Sequence, residues 1–342
     1  MGIPGPELND GLRQLIQRIR PGGFIYFTRN MANPAQFGGL VRECADLAGG
    51  EVVQTVDQEG GRVSRLAVMG QRPPSGEELA RAGRREWFRE HGRLTGWLMR
   101  LVGLNLNLAP VLDFAPTDRR GIDNSLAGRC YGQNPAEVVV RATDFLEGMR
   151  ERGVRGTGKH FPGYTFCGLD PHGDLPRVDR SRPQIDAEEL AVFREVGLRC
   201  DALMVGHAYF PAFGQNSGPA SLNRRIVTDL LKNEMGYRGL VMTDDLEMGA
   251  IANRYGSAEA VRQAVRAGEE AMLICHNPAC VEIARDALAE LPEADWAPAV
   301  ASMEKFCREL TPAAPQFDSV DWQEANDQTE KLRREVIKMI NG

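Results

Sequence analysis

The chain has 342 residues, a length that suits one α/β barrel of about 250 residues with additional segments. Its 41 Lys and Arg against 47 Asp and Glu give a net charge of −6, which argues against binding to nucleic acid or to an anionic membrane, because both need a basic surface. No apolar run approaches the roughly 20 residues of a membrane span, and the first residues (MGIPGPELNDGL) lack the basic and apolar regions of a secretory signal.

The cysteines indicate a reducing compartment. All seven are scattered along the chain, they are odd in number, and they include no CxxC pair, which is typical of reduced thiols rather than of a disulfide framework. Cys275 and Cys280 flank His276, but no second pair of metal ligands accompanies them, so we predict no zinc site. The sequence therefore predicts a cytoplasmic protein without a metal ion or another cofactor.

Short runs of β-forming residues alternate along the chain with longer segments of helical periodicity. The predicted strands are residues 23–28, 52–56, 104–108, 154–160, 202–205, 240–243 and 271–275. The predicted helices are residues 35–47, 77–102, 135–152, 187–199, 227–235, 258–267 and 279–291. This alternation predicts a parallel sheet, and its even rhythm favours a single (β/α)8-type TIM barrel with one strand undetected. An open doubly wound sheet is the alternative, but no GxGxxG follows any of these strands.

The character of the chain changes after Leu310. The segment TPAAPQFDSVDWQ is rich in Pro and Ala and then polar, and residues 324–340 form a charged helical pattern without a wide apolar stripe. We therefore expect a barrel over residues 1–310. Over residues 311–342 we expect a linker and a C-terminal helix that lies on the barrel or contacts a neighbour.

Polar side chains cluster where four of the predicted strands end. The strings are VDQEGGR, GKHFPG, GH and TDD, which begin at residues 56, 158, 206 and 243. Active sites of α/β barrels lie at the carboxyl ends of the strands, so these residues are the first candidates for chemistry. Acidic residues at strand ends also cap helices or brace loops, which is the alternative for Asp113 and Asp245. Asp57 and Asp244 stand in strings that favour a functional role.

Several of these strings resemble, in the same order, the motifs of family-3 glycoside hydrolases. The resemblance rests on VDQEGGRVSRL, on GKHFPG followed by LDPHGDLP, and on LLKNEMGYRGLVMTDD, and several shorter strings also fit. It covers roughly residues 3–310 and is strongest to the bacterial single-domain β-N-acetylglucosaminidases of peptidoglycan recycling. It implies an enzyme that acts on small carbohydrate substrates, N-acetylglucosaminides with muropeptide fragments among them.

The resemblance also implies catalytic roles. The Asp of the TDD string matches the family nucleophile, which assigns that role to Asp244 and predicts a retaining mechanism through a covalent glycosyl-enzyme. The Asp-x-His pair of the following loop matches the family acid/base, which assigns proton transfer to His172 and orientation of its imidazole to Asp170. Asp174 is the nearest alternative to this dyad.

Substrate-binding roles carry over in the same way. Asp57, Lys159, His160 and Arg129 match the residues that hold the hydroxyl groups of the terminal sugar in the family. His207 and Met248 are expected to line the pocket wall. A hydrogen-bonded position in the core is the alternative for the polar residues of this set, His207 in particular.

The chain departs from the family pattern at three places. Tyr164-Thr165-Phe166 replace the His-Gly-Asp that commonly follows KHFPG, which makes the loop before the dyad bulkier and more apolar. Glu247 stands where a small residue is usual, at the expected floor of the acetamido pocket. Only Met1 precedes GIPGPEL, where relatives have an apolar strand, so we expect either an incomplete first strand or a misassigned translation start.

These features favour an exo-acting retaining β-N-acetylglucosaminidase over three alternatives. Larger β-glucosidases of the family append a second domain that supplies a carboxylate acid/base, and too few residues follow position 310 for such a domain. Phosphorolysis is the second alternative, because a histidine acid/base repels incoming phosphate less than a carboxylate does. A non-catalytic sugar-binding descendant is the third, against which the presence of Asp244 and of the dyad argues.

Overall fold

The computed structural model describes residues 1–116, 124–215, 217–311 and 317–342. Seven parallel strands form one sheet whose spatial order follows the chain. They are β1 (Gly23–Tyr26), β2 (Val53–Val56), β5 (Leu106–Asn107), β6 (Arg155–Phe161), β7 (Ala202–Val205), β8 (Leu240–Asp245) and β9 (Ala271–Leu273). The remaining two strands, β3 (Gln58–Gly60) and β4 (Val63–Ser64), pair antiparallel directly after β2. The predicted parallel barrel is confirmed.

Helices connect successive strands and cover the outside of the barrel. The helices are α1 (Asp10–Ile19), α2 (Pro34–Ala48), α3 (Gly76–Ala82), α4 (Glu86–Leu101), α5 (Pro135–Arg150), α6 (Arg182–Ala187), α7 (Glu189–Glu195), α8 (Gly249–Ala252), α9 (Ser257–Ala267), α10 (Pro278–Ala289), α11 (Glu293–Arg308) and α12 (Ser319–Asn341). A π-helix spans Arg225–Glu234 between β7 and β8.

Two predicted helices are interrupted in the structure. The predicted helix over 77–102 is broken into α3 and α4, because Gly83 ends α3 with a φ of 71°, a left-handed conformation that glycine adopts without steric cost. The predicted helix over 187–199 is divided into α7 and a 3₁₀ turn at Gly197–Arg199.

The N-terminal residues take the place of an eighth strand. Gly2 forms a parallel bridge with Ile25 of β1, where the Ile25 amide donates to the carbonyl oxygen of Met1 at 3.0 Å. On its other side, the Gly2 amide donates to the carbonyl oxygen of Ile274, just beyond β9, at 2.8 Å. The segment around Gly2 thus joins β1 to the residues just beyond β9.

Apolar side chains fill the barrel interior below the strand ends. They are supplied by alternate residues of the strands and include Ile25, Val53, Leu106, Ala202, Met204, Leu240, Met242 and Leu273. Phe306, Cys307 and Leu310, at the end of α11, join the same cluster. These side chains form an apolar core within the barrel. A cavity of about 350 Å³ lies beside Ile25, Val53, Leu240, Met242 and Leu273, and a second cavity opens at the carboxyl ends of the strands.

The C-terminal helix packs against the barrel. The α12 helix lies on α3 and α4, and Trp322, Leu332 and Val336 are buried there. The Asn326 side chain accepts a hydrogen bond from the Gln71 amide at 2.6 Å, which joins α12 to the loop after β4. Residues 312–316 of the predicted linker lie outside the described residues. Among the helices that the structure describes, none is both long enough and apolar enough to cross a membrane.

Candidate active site

A cavity of about 440 Å³ opens at the carboxyl ends of the parallel strands. It is lined by all of the sequence-predicted site residues except His207, namely Asp57, Arg129, Lys159, His160, Asp170, His172, Asp244 and Met248. Residues that the sequence analysis did not select also line it, among them Phe27, Glu59, Arg62, Arg65, Tyr164 and His276. Residues far apart in the chain thus meet in one pocket, as a parallel barrel requires.

Asp244 lies near the end of β8 with its carboxylate in the pocket. The Asp245 amide donates a hydrogen bond to Asp244 Oδ1 at 2.9 Å. Burial alone would raise the pKa of Asp244, but His207, His160, that amide and Lys159 together lower it. The group is therefore ionised at neutral pH, which suits a nucleophile or an electrostatic stabiliser.

Asp245, the neighbour of Asp244, makes contacts with the protein that suit a bracing residue rather than a nucleophile. Its carboxylate accepts a hydrogen bond from the Glu247 amide at 3.1 Å and lies 3.4 Å from His276 Nε2. Burial raises the pKa of Asp245 to about 6. Asp245 does not cap a helix directly, because α8 begins only at Gly249. It braces the turn before α8 instead, which is the other role expected for it.

The predicted dyad is formed on the loop between β6 and α6. His172 Nδ1 lies 2.7 Å from Asp170 Oδ1, and the His172 amide donates to the same oxygen at 2.9 Å. Burial raises the pKa of Asp170, but the two hydrogen bonds from His172 outweigh it and lower the pKa. An ionised carboxylate only accepts hydrogen bonds, so Nδ1 carries the proton and Nε2 is left to exchange a proton with a ligand.

Four charged side chains form a largely buried network at the cavity. Lys159 Nζ lies 2.7 Å from Asp57 Oδ1 and 2.7 Å from Glu59 Oε1. Arg129 binds both carboxylate oxygens of Glu59, each at 2.8 Å. Burial would raise the pKa of Glu59, but Arg129 and Lys159 hold it well below its usual range. Glu59 therefore fixes the two cations that face the pocket.

Glu59 could have been found from the sequence. It follows Asp57 by two residues, and alternate residues of an extended chain lie on the same face. An Asp-x-Glu pair at a barrel strand end thus predicts two carboxylates directed to one side.

We expect Glu59→Gln to destabilise the protein by about 3–5 kcal/mol, because it removes the carboxylate that pairs with the buried Arg129 and leaves Lys159 with Asp57 alone. The measurement is urea unfolding at pH 7. The folded-state pKa of Glu59 is lowered, so its contribution is fully present above the unfolded pKa of about 4.3 and is lost as the pH falls below that value.

Glu51→Gln, at an exposed position just before β2, is the matched control. The wild type and this control should lose stability in parallel between pH 5 and pH 3, whereas the Glu59→Gln curve should be flatter. Equal slopes for all three proteins would contradict the role of Glu59.

Lys159 and His160 both line the pocket although they are consecutive in β6. Consecutive side chains of a regular strand point to opposite faces. Here the peptide bond between them is cis, and the pairing register with β7 shifts between Lys159 and Phe161. The strand is therefore irregular at the position where the sequence predicts two binding residues.

Asp113 braces this part of the site. Its Oδ2 lies 2.8 Å from His160 Nδ1, and its Oδ1 accepts a hydrogen bond from the Tyr164 amide at 2.5 Å. The Tyr164 ring stacks on the His160 ring with centroids 4.5 Å apart. The alternative role expected for Asp113, loop bracing, fits these contacts.

The three residues that depart from the family pattern after KHFPG pack against the protein at the start of the loop that carries the dyad. Tyr164 is buried, and its hydroxyl accepts a hydrogen bond from the His207 amide. Thr165 Oγ1 accepts one from the Phe114 amide at 3.1 Å. The Phe166 ring lies under the Arg180 guanidinium, 3.7 Å from its carbon. The bulk of this segment thus packs inside the fold.

His207 does not line the pocket and instead takes the alternative position in the core. His207 is fully buried behind the pocket, where Nδ1 lies 2.7 Å from Ser221 Oγ and Nε2 lies 2.9 Å from the Asp245 carbonyl oxygen. Both ring nitrogens are therefore occupied by the protein. Burial lowers the pKa of His207.

Glu247, the other departure, is engaged with the backbone. Its carboxylate accepts hydrogen bonds from the amides of His276 and Asn277, at 2.6 and 3.0 Å. This holds the loop before α10, and the His276 ring lies against Phe27 with centroids 5.4 Å apart. Among the described residues, no group of three or more His, Cys, Asp or Glu side chains is arranged to hold a metal ion.

The chain is similar to known proteins over most of its length. A β-hexosaminidase of Alkalilimnicola ehrlichii is 33% identical over 302 residues, which cover 86% of this chain and 84% of the relative. A β-hexosaminidase of Pseudomonas aeruginosa is 34% identical over 298 residues, which cover 85% of this chain and 86% of the relative.

A solved structure, that of a glycoside hydrolase family 3 β-N-acetylglucosaminidase from Paenibacillus sp. str. FPU-7, superposes with a TM-score of 0.90 at 34% identity. The match covers 98% of this chain and 66% of the other, which is therefore the longer protein. The family model for the N-terminal domain of glycosyl hydrolase family 3 matches residues 1–300. The chain therefore belongs to family 3 of the glycoside hydrolases.

Proposed function

We propose that this protein removes a terminal β-linked N-acetylglucosamine from small substrates, with retention of configuration at the anomeric carbon. The observation that carries the proposal is the His172–Asp170 pair, 2.7 Å apart, on the same cavity as the ionised Asp244. The β-hexosaminidase and β-N-acetylglucosaminidase names of the relatives support the substrate class.

In the first step, the Asp244 carboxylate attacks the anomeric carbon while His172 Nε2 gives its proton to the departing glycosidic oxygen. The glycosidic bond breaks, a covalent glycosyl-enzyme forms on Asp244, and the aglycone leaves as an alcohol. His172 enters this step as an imidazolium and ends it neutral. Asp170, which accepts from Nδ1, offsets the charge of the imidazolium and fixes the orientation of the ring.

In the second step, the neutral His172 takes a proton from water as the water oxygen attacks the anomeric carbon. The bond to Asp244 breaks, the sugar is released with its original configuration, and both catalytic groups return to their starting charge. One histidine thus acts as acid and then as base, because an imidazole nitrogen can both give and take a proton.

The buried charge network supplies the binding wall for the sugar in this proposal. Asp57 accepts hydrogen bonds from two sugar hydroxyl groups, and Lys159, His160 and Arg129 contact the hydroxyl groups around them. Glu59 and Asp57 hold Lys159 in place before the substrate arrives, which reduces the ordering that binding requires. Met248 lines the pocket beside them.

We expect aryl β-N-acetylglucosaminide to be cleaved with a kcat/KM about 10- to 200-fold higher than aryl β-glucoside, the range that one substituent contributes in a fitted pocket. The measurement is release of the aryl alcohol, with and without phosphate. Equal or better cleavage of the glucoside would reject the substrate class.

The phosphate arm separates hydrolysis from phosphorolysis. Hydrolysis predicts that phosphate changes neither the rate nor the product. A phosphate-dependent rate with sugar 1-phosphate as the product would replace the proposed hydrolysis by phosphorolysis. Binding of N-acetylglucosamine without release of aryl alcohol from either substrate would indicate a non-catalytic descendant.

We place this reaction in the cytoplasm, acting on fragments of cell-wall peptidoglycan. The odd number of cysteines and the lack of a CxxC pair support a reducing compartment.

A further inference from the structure

The loop that carries the dyad is docked onto the segment that follows the nucleophile strand. The Gly249 amide donates a hydrogen bond to the His172 carbonyl oxygen at 3.0 Å, and the Ala250 amide donates to the Pro171 carbonyl oxygen at 3.1 Å. Asn253 Nδ2 donates to the Gly173 carbonyl oxygen at 3.1 Å. The first turns after β8 therefore hold the backbone of the dyad from one side.

An ion pair closes the same contact one residue further along the loop. The Arg254 guanidinium binds the Asp174 carboxylate, which also accepts a hydrogen bond from the Leu175 amide at 2.8 Å. The hydrogen bond from Arg254, together with that amide, lowers the pKa of Asp174. Asp174 is thus ionised and engaged, so it does not suit the acid/base role that the sequence left open for it.

Gly249 makes this docking possible. A Cβ atom at this position would lie 2.7 Å from the His172 carbonyl oxygen and would also collide with the carbonyl of Gly173. Both obstacles are backbone atoms, which cannot rotate away as a flexible side chain can. The close approach of the two segments therefore requires a glycine here.

We propose that Arg254, Asp174, Asn253 and Gly249 form a clasp that positions His172 over the pocket for proton transfer. This inference rests on the proposed function of His172. The His172 side chain is 71% exposed, and its one hydrogen-bonded side-chain partner in the described structure is Asp170, which lies on the same loop. The placement of the dyad relative to Asp244 therefore depends on the docking of the loop, to which the clasp contributes directly.

The clasp has a specific kinetic consequence. An undocked loop leaves Asp244 in place but moves His172. The first step, which kcat/KM reports, is then slowed only for leaving groups that need protonation, whereas the second step is slowed for every substrate. Because Arg254 and Asp174 are 37% and 57% exposed, their ion pair is screened by salt and contributes little individually. Gly249 carries the larger effect, because a side chain there excludes the docked state.

The test compares clasp variants on phenyl and 2,4-dinitrophenyl β-N-acetylglucosaminides. With the phenyl substrate, we expect Arg254→Ala and Asp174→Asn to reduce kcat/KM roughly two- to five-fold, and Gly249→Ala to reduce it more than about ten-fold. With the dinitrophenyl substrate, whose leaving group needs little protonation, we expect changes below about two-fold. The double variant Arg254→Ala with Asp174→Asn should have the same kcat/KM as either single variant, because both remove the same ion pair. The charge-reversed pair, Asp174→Arg with Arg254→Asp, should recover most of the lost kcat/KM.

Hydrogen exchange gives a readout that does not depend on activity. Exchange of the Gly249 and Ala250 amides should accelerate in each clasp variant, because these amides lose their partners when the loop undocks. The matched control is Arg334→Ala, which removes an exposed ion pair with Glu330 on α12 and should change neither readout.

Two results would overturn the clasp while leaving the proposed function intact. One is an equal loss on both leaving groups. The other is unchanged exchange at Gly249 and Ala250 in all variants. If the wild-type protein releases aryl alcohol from neither substrate, the proposed function is overturned, and the positioning role falls with it. This holds whether or not Arg254→Ala accelerates the exchange of the Gly249 and Ala250 amides.

Discussion

Asp244→Asn is expected to reduce kcat on an aryl β-N-acetylglucosaminide by about 10³-fold or more, the largest effect of any single substitution in this site. An amide is a poor nucleophile, so the glycosyl-enzyme cannot form on this residue. The fold should be unaffected, because the amide oxygen of Asn can still accept the hydrogen bond from the Asp245 amide. Lys159 also keeps both of its other carboxylate partners, Asp57 and Glu59.

The measurement combines initial rates with urea unfolding, which separates lost chemistry from lost structure. Asp245→Asn is the matched control, since Asp245 is the adjacent carboxylate and braces the turn before α8. We expect it to retain far more activity than Asp244→Asn. A 2-fluoro sugar should label the peptide that contains Asp244, and label on Asp245, or activity without label, would reject the assignment.

The order of the strands and the meeting of Asp57, Lys159 and Asp244 could be predicted from the sequence. Alternation of β-rich and helical segments predicts parallel strands, and parallel strands bring their carboxyl ends to one side. Residues at the carboxyl ends of different strands are then brought to the same side of the barrel. The structure places these three residues on one cavity for this reason.

His207 shows where such reasoning fails. It also follows a strand, β7, yet it is fully buried between Ser221 and the Asp245 carbonyl. A strand-end position predicts the side of the barrel but not whether a side chain faces the pocket or a neighbouring loop. That choice depends on contacts with residues distant in the chain, which periodicity does not reveal.

The short closing elements of the fold escaped prediction for a different reason. The single bridge at Gly2 has no hydrophobic period, because one residue cannot define an alternation. The contacts of Gly249 with the dyad loop are equally invisible in the sequence, since they depend on the close approach of two backbones. A glycine in the sequence indicates a close approach of two backbones only when the second segment is known.

His172→Ala provides the second large effect, and its pattern is more informative than its size. Removal of the proton donor should slow phenyl β-N-acetylglucosaminide by about 10²- to 10⁴-fold, the usual contribution of general acid–base catalysis. The first step with 2,4-dinitrophenyl β-N-acetylglucosaminide should keep most of its rate, because this leaving group departs without a proton. The glycosyl-enzyme on Asp244 should then accumulate, since no base activates water in the second step.

Added azide distinguishes this pattern from a general disruption of the site. Azide is a small anion that needs no deprotonation, so it should attack the glycosyl-enzyme of His172→Ala, restore turnover and yield a glycosyl azide. Asp170→Asn should be milder, because it weakens the orientation and charge balance of the imidazole without removing it. Equal slowing of both leaving groups, with no response to azide, would assign the acid/base to another residue. Because Asp174 is held by Arg254, the search would then turn to the remaining ionisable groups of the pocket, with His276, exposed at its edge, as the first to test.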